Sequence, residues 1–178
     1  MNRIISMVLV LTLIMCLVPA SAFADDNDSD VLDNVRYMEL TWDEERVVSE
    51  QKTAESVIRF PGDGNITSGW YYLDRDVTIS KRITSITGDV NLILGDTYTL
   101  KVDGLYVPPE TTLTIYTENS GTGKLYSHPS TGSAIGGYDG HDNGNIEIKG
   151  GTIDASSGEH CAGIGSNDDR KTGILGLI

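Results

Sequence analysis

Apolar and polar residues alternate through most of the chain after Trp70. Apolar side chains recur at every second position in several short runs: Val77 and Ile79; Val90, Leu92 and Leu94; Leu113 and Ile115; Ile146 and Ile148. A period of two is typical of a β-strand with one buried face. Glycine, aspartate and proline separate the runs, and no stretch after Trp70 has a convincing helical period. The pattern predicts an all-β domain built from short strands.

A sequence repeat lies near the C-terminal end. Ser133-Ala134-Ile135-Gly136 returns twenty-nine residues later as Ala162-Gly163-Ile164-Gly165. The same offset relates four further pairs: Asp139 and Asp168, Gly144 and Gly173, Ile146 and Leu175, Ile148 and Leu177. A repeat of this length, rich in glycine and short β-prone runs, is typical of coils stacked in a solenoid. A β-sandwich uses similar strands but does not predict a constant offset, so we favour the solenoid.

The runs group into coils of three strands. The predicted strands are 90–94, 98–102 and 105–107 in one coil, 112–116, 124–128 and 133–137 in the next, and 145–149, 151–155 and 162–166 in a third. Each strand is expected to pair in parallel with its counterpart one coil on, about 4.8 Å away. Residues 173–178 begin another coil that stays incomplete. We favour a truncated sequence over an apolar tail that folds across the open end.

The N-terminal end has the pattern of a secretory signal peptide. Arg3 supplies the positive region, residues 4–18 are apolar, and Ala22-Phe23-Ala24 fits a cleavage site after residue 24. A retained transmembrane anchor is the alternative, but the apolar run is shorter than the ~20 residues that a spanning helix needs. The sequence therefore predicts a secreted or cell-surface protein with no membrane insertion after cleavage.

The region between the leader and the repeats divides into two parts. Residues 25–35 are acidic and are expected to form a disordered lead-in. Residues 36–69 are expected to form N-terminal strands or a cap for the β-helix domain, which is assigned to residues 70–178. Within 36–60, Thr41-Trp42-Asp43-Glu44 fits a helix-capping box. The alternative is a pair of strands around an acidic turn, which we favour because everything downstream is β.

Composition narrows the function classes. The 178-residue chain has a formal net charge of −13, which argues against nucleic acid as a partner because phosphates require lysine and arginine. Cys161 is the only cysteine beyond the leader, so no internal disulfide is expected.

Several segments together resemble one group of proteins. They are Gly88-Asp89-Val90-Asn91-Leu92-Ile93-Leu94, Thr111-Thr112-Leu113-Thr114-Ile115-Tyr116, Gly121-Thr122-Gly123-Lys124-Leu125, Ser133-Ala134-Ile135-Gly136-Gly137 and Gly144-Asn145-Ile146-Glu147-Ile148-Lys149-Gly150-Gly151-Thr152-Ile153. With them, residues 70–173 resemble secreted or surface-attached right-handed parallel β-helix proteins of bacteria. The resemblance implies a right-handed parallel β-helix of about three to four coils. Some relatives look like calcium-assisted binders of plant cell-wall polysaccharides, related in shape to pectate lyases.

One loop is a candidate calcium site. Stacking in register would bring Asp139 close to Asp168, with Asp142, Asn143 and Asp169 nearby. Two carboxylates about 5 Å apart repel each other by roughly 1 kcal/mol in water. A hard cation such as Ca²⁺ removes that repulsion, because it takes six to eight oxygen ligands from flexible loops. The alternative is that the loops splay apart and water screens the carboxylates.

Aromatic residues provide a candidate carbohydrate-binding face. Adjacent strand residues point to opposite sides, so at least one of Trp70 and Tyr71 is expected to face outward. Tyr116 is expected to face outward beside Lys149 of the next coil. A flat polar face with such rings could stack sugar rings, although the same rings could be ordinary strand residues.

The leading functional hypothesis is an exported, non-catalytic module that binds extracellular polysaccharide at the cell surface with the help of calcium. One alternative is a structural stalk or adhesin segment without a ligand, in which the uncapped last coil mediates end-to-end association. The second is a pectate-lyase-like polysaccharide lyase. Arg170 and Lys171 beside Asp168 and Asp169 have no fixed geometry for proton abstraction, so no residue is assigned a catalytic role.

Overall fold

A computed structural model describes residues 30–138, 140–158, 160–166 and 175–177. The predicted signal peptide, residues 1–24, lies outside this range. Within the described residues no helix is long and apolar enough to span a membrane.

Every element of the described chain is a β-strand, in agreement with the all-β prediction. The strands are β1 (Val31–Asp43), β2 (Arg46–Arg59), β3 (Gly69–Leu73), β4 (Val77–Ile79), β5 (Asp89–Leu94), β6 (Thr99–Val102), β7 (Leu105–Tyr106), β8 (Thr112–Thr117), β9 (Lys124–Ser127), β10 (Ile135–Gly136), β11 (Asn145–Ile148), β12 (Thr152–Ala155), β13 (Ile164–Gly165) and β14 (Leu175–Leu177). Each of the nine strand segments predicted between residues 90 and 166 overlaps one of them.

The strands form three sheets. The largest has seven strands in the order β1-β2-β3-β5-β8-β11-β14. A four-stranded sheet has the order β12-β9-β6-β4, and a three-stranded sheet the order β13-β10-β7. All pairings are parallel except those that β1 makes with β2 and β8.

The register expected from the repeat is confirmed where the structure describes both partners. Ile135 pairs with Ile164 and Gly136 with Gly165. Ile146 pairs with Leu175 in the largest sheet. The pairs of Asp139 with Asp168 and of Gly144 with Gly173 include residues outside the described range.

The predicted fold class, a right-handed parallel β-helix of three to four coils, is wrong. Strands β1, β2, β3, β5 and β8 close a mixed five-stranded barrel, and the remaining pairings lie in several small and mostly short sheets. The barrel closes where Met38 of β1 pairs antiparallel with Thr117 of β8. The sequence repeat and the motif resemblance that supported the solenoid both lie after residue 69, and they contain no information about the long β1–β2 hairpin.

The hairpin extends into the region predicted to be acidic and disordered. Residues 31–35 belong to β1, so the predicted disorder of residues 25–35 is wrong for this part. Residues 25–29 lie outside the described range. The capping-box segment is also extended, because Asp43 ends β1 and pairs with Arg46 across a turn formed by Glu44 and Glu45.

The main core lies between the three sheets. In the four-stranded sheet, Val77, Leu100, Leu125 and Ile153 occupy equivalent positions and stack in one column. Leu100 and Leu125 are fully buried. Parallel pairing in register places like residues above one another, so the alternating pattern of each strand becomes a continuous apolar column.

A second, smaller cluster lies on the opposite face of the largest sheet. Tyr72, Ile93 and Tyr116 form a row across β3, β5 and β8. Tyr37 of β1, with Ala54 and Val57 of β2, packs against this row. Burying a large apolar side chain contributes about 1.5–3 kcal/mol, which explains why the hairpin lies over this face.

The close pairing of β10 with β13 predicts that Gly136→Ala destabilises the folded protein. Gly136 has φ of 129°, and a Cβ there would lie 2.9 Å from the Gly165 carbonyl carbon and closer still to its oxygen. Backbone atoms cannot move away without breaking the pairing, so we expect the free energy of unfolding to fall by about 2–3 kcal/mol in urea titrations.

Gly62→Ala is the matched control, since a Cβ at Gly62 meets no atom within 4 Å. Its unfolding free energy should stay within about 0.5 kcal/mol of the wild type. Equal stability of the two variants would contradict the register of β10 and β13.

Candidate functional site

The predicted carbohydrate-binding rings do not form an open platform. Tyr71 points into the main core, is 3% exposed, and accepts a hydrogen bond on its hydroxyl from the Thr67 backbone N–H. Tyr116 does face away from the main core, as expected, but is 7% exposed. Trp70 stacks on Tyr116 with ring centroids 5.3 Å apart.

Tyr37 of the hairpin covers these rings. Its ring centroid lies 4.7 Å from that of Tyr116 and 5.0 Å from that of Trp70. Burial raises the pKa of both Tyr37 and Tyr116. The faces that sugar rings would need are therefore occupied by another side chain of the same molecule.

Lys149, the fourth residue of the predicted platform, holds the hairpin. Its Nζ lies 2.7 Å from Glu39 Oε1, and Lys52 binds the other oxygen of the same carboxylate. The hydrogen bond from Lys149, followed by that from Lys52, holds the pKa of Glu39 below its ordinary value of 4.5. The backbone N–H of Leu40 also donates to the Lys149 carbonyl oxygen at 3.1 Å. These contacts fasten β1 across the ends of β8 and β11.

Acidification is predicted to weaken this fastening. Because the folded-state pKa of Glu39 is lowered, its contribution to stability is complete above pH 4.5 and is lost as the pH falls through the folded-state pKa. At neutral pH we expect Glu39→Gln to reduce the free energy of unfolding by about 1–2 kcal/mol, and to make its decline below pH 4.5 shallower. Urea titrations at several pH values measure both effects.

Glu50→Gln is the control, since Glu50 lies 3.6 Å from the same Lys52 but its side chain is 66% exposed. It should leave the denaturation midpoint at neutral pH unchanged. An equal loss in both variants would show that the Lys149–Glu39 contact does not hold the hairpin.

The predicted calcium site lies largely outside the described residues, which exclude Asp139, Asp168 and Asp169. Asn143 is buried, and its side-chain amide donates to the Gly144 carbonyl oxygen at 2.7 Å. Asp142 is half-buried near Tyr106. Among the described residues no group of three or more His, Cys, Asp or Glu side chains is placed to hold a metal ion. Calcium binding stays a prediction.

The outer face of the four-stranded sheet is open. Its central row runs across the strands through Thr78, Lys101, Tyr126 and Asp154, all of them exposed. At about 4.8 Å between strands, the row spans roughly 14 Å. A neighbouring row contains Thr99, Lys124 and Thr152. We call the outward side chains of both rows, together with His128, the Tyr126 face.

Tyr126 is the aromatic centre of this face, with 38% of its surface exposed. The His128 ring lies 3.9 Å from the Tyr126 ring between centroids, and Lys101 Nζ lies 6.0 Å from the Tyr126 centroid. His128 Nε2 is 2.7 Å from Asp154 Oδ1. The neighbours of Tyr126 therefore restrict its ring while leaving part of it accessible.

Two adjacent cavities lie along the Tyr126 face. The larger, of about 450 Å³, is lined by Thr99, Lys101, Lys124, Leu125, Tyr126, Thr152 and Asp154. The smaller, of about 200 Å³, shares Lys101 and Tyr126 and extends to Thr78, Asp103 and His128. An exposed ring surrounded by hydroxyl, ammonium and carboxylate groups can stack on a ligand ring and hydrogen-bond its substituents.

The sequence contained a signal for the Tyr126 face that the site prediction did not use. Thr78, Lys101, Tyr126 and Asp154 each follow an apolar residue of the same core column. The period of two therefore places all four on the outside. It does not say that the hairpin covers the largest sheet and leaves this one open.

No protein-family model, curated protein or solved structure matches the chain. The resemblance to β-helix proteins of bacteria therefore stays a prediction from sequence motifs.

Proposed function

We propose that this protein is an exported, non-catalytic module that binds extracellular polysaccharide through the Tyr126 face. The observation that carries the proposal is the partly exposed ring of Tyr126 at the centre of a row of polar side chains. The predicted signal peptide supports an extracellular ligand, and the net charge of −13 disfavours nucleic acid.

The chemistry of the face fits a sugar chain. The apolar face of a pyranose ring stacks on an aromatic ring, and its hydroxyls need donors and acceptors around the edge. Tyr126 supplies the ring, Thr99 and Thr152 supply hydroxyls, and Asp154 supplies an acceptor beside the larger cavity. A site that combines one ring with several polar groups can fix both the position and the orientation of a ligand.

The rigidity of the scaffold supports binding by an open surface. Leu125 and Ser127, which flank Tyr126 on β9, point inward and are fully buried. The Ser127 hydroxyl donates to the Ala134 carbonyl oxygen at 2.8 Å. Because these anchors fix β9, the ring loses little conformational freedom on binding, which reduces the entropic cost of association.

Tyr126→Ala is predicted to weaken polysaccharide binding by about tenfold, since it removes the stacking ring. Tyr126→Phe should retain most of the affinity, because it keeps the ring and loses only the hydroxyl. Pull-down with insoluble cellulose and cross-linked polygalacturonate, with and without a calcium chelator, measures the affinity and tests the predicted role of calcium.

Trp42→Ala is the matched control, since Trp42 is 63% exposed at the end of β1, away from the Tyr126 face. It should bind as the wild type does. Binding that is unaffected by Tyr126→Ala, or no binding to any polysaccharide at high protein concentration, would overturn the proposal. The second result would favour a structural stalk or adhesin segment.

A further inference from the structure

Two lysines lie on the Tyr126 face. Lys101 and Lys124 are both exposed and both line the larger cavity. No ion pair joins either one to a carboxylate within the described part of the chain. Lys52, Lys149, Arg59 and Arg75 bind carboxylates, and Arg82 donates to the Ser133 carbonyl oxygen. Arg36, Arg46 and Lys81 also form no ion pair among the described residues, but only Lys101 and Lys124 of the described cations lie beside the exposed ring of Tyr126.

The positions of the two ammonium groups complement the ring. Lys101 is level with Tyr126 on the neighbouring strand β6, and Lys124 precedes Tyr126 by two residues on β9. Their side chains therefore leave the sheet on two different sides of the ring. A sugar stacked on Tyr126 would have its substituents within reach of both.

The one carboxylate that lines the larger cavity has a partner of its own. Asp154 Oδ1 lies 2.7 Å from His128 Nε2, on the side of the smaller cavity. Within the described residues neither Asp154 nor Asp103, which lines the smaller cavity, forms an ion pair with Lys101 or Lys124. In a protein with a net charge of −13, the Tyr126 face thus combines two ammonium groups that form no ion pair with a described carboxylate.

From this arrangement we infer that the polysaccharide is anionic and that Lys101 and Lys124 bind its acidic groups. The inference rests on the proposed function and specifies the ligand class of the same face. The acidic group is a carboxylate of a uronic acid or a sulfate ester, since both accept hydrogen bonds from an ammonium group. Exposed charge pairs are weak and screened by salt, so each lysine should contribute about two- to fivefold in affinity.

The test compares Lys101→Gln, Lys124→Gln and the double variant by affinity electrophoresis in soluble polysaccharides. The probes are polygalacturonate and its carboxyl-reduced form for the carboxylate source, and dextran sulfate and dextran for the sulfate source. The wild type should bind one acidic probe about tenfold more tightly than its neutral partner at low salt. The double variant should lose most of that difference and bind the neutral partner as before.

Lys81→Gln is the control for net charge, since Lys81 is exposed and lines a separate cavity near Asp63. It should leave the preference for the acidic probe intact. Equal affinity for acidic and neutral probes, or an equal loss in Lys81→Gln and the double variant, would overturn the inference. If Tyr126→Ala still weakened binding by about tenfold in that case, the proposed function would stand. Failure to bind any probe would overturn both.

Discussion

The parallel register between successive strands is the constraint on which the rest of the structure depends. It superimposes equivalent residues about 4.8 Å apart, so apolar positions become columns and glycine positions become close backbone contacts. At Gly136 the contact with Gly165 leaves no space for a Cβ. At Gly123 a Cβ would meet the carbonyl groups of Leu94 and Gly95. Side chains elsewhere can vary, but these positions fix how closely neighbouring strands approach.

The β1–β2 hairpin adds the antiparallel component and decides which outer surface is accessible. Its Tyr37 packs over the row of Tyr72, Ile93 and Tyr116 on the largest sheet. The contact of Glu39 with Lys149 fastens the hairpin there. The four-stranded sheet has no such cover among the described residues. Its outer side chains are polar except for Tyr126, and this composition suits a surface in contact with water and a hydrated ligand.

The candidate site follows from these two features. The columns hold the strands rigid, and the outward residues of β6, β9 and β12 then have fixed spacing. A ring, several hydroxyls and two lysines that form no ion pair with a described carboxylate are thereby presented on one surface. No catalytic group needs to be assumed for binding on such a surface. The proposal of an anionic polysaccharide ligand rests on this composition.

The sequence by itself determined the all-β character, the nine strand segments between residues 90 and 166, and the register of Ile135 with Ile164. These follow from local alternation and a constant offset, which are properties of the chain alone. Only the tertiary structure decided that β1 closes a mixed barrel and that Trp70 and Tyr116 are covered while Tyr126 is open. Alternation tells inside from outside for each strand. It cannot tell which outer sheet face another part of the chain will cover, because that depends on contacts between residues far apart in sequence.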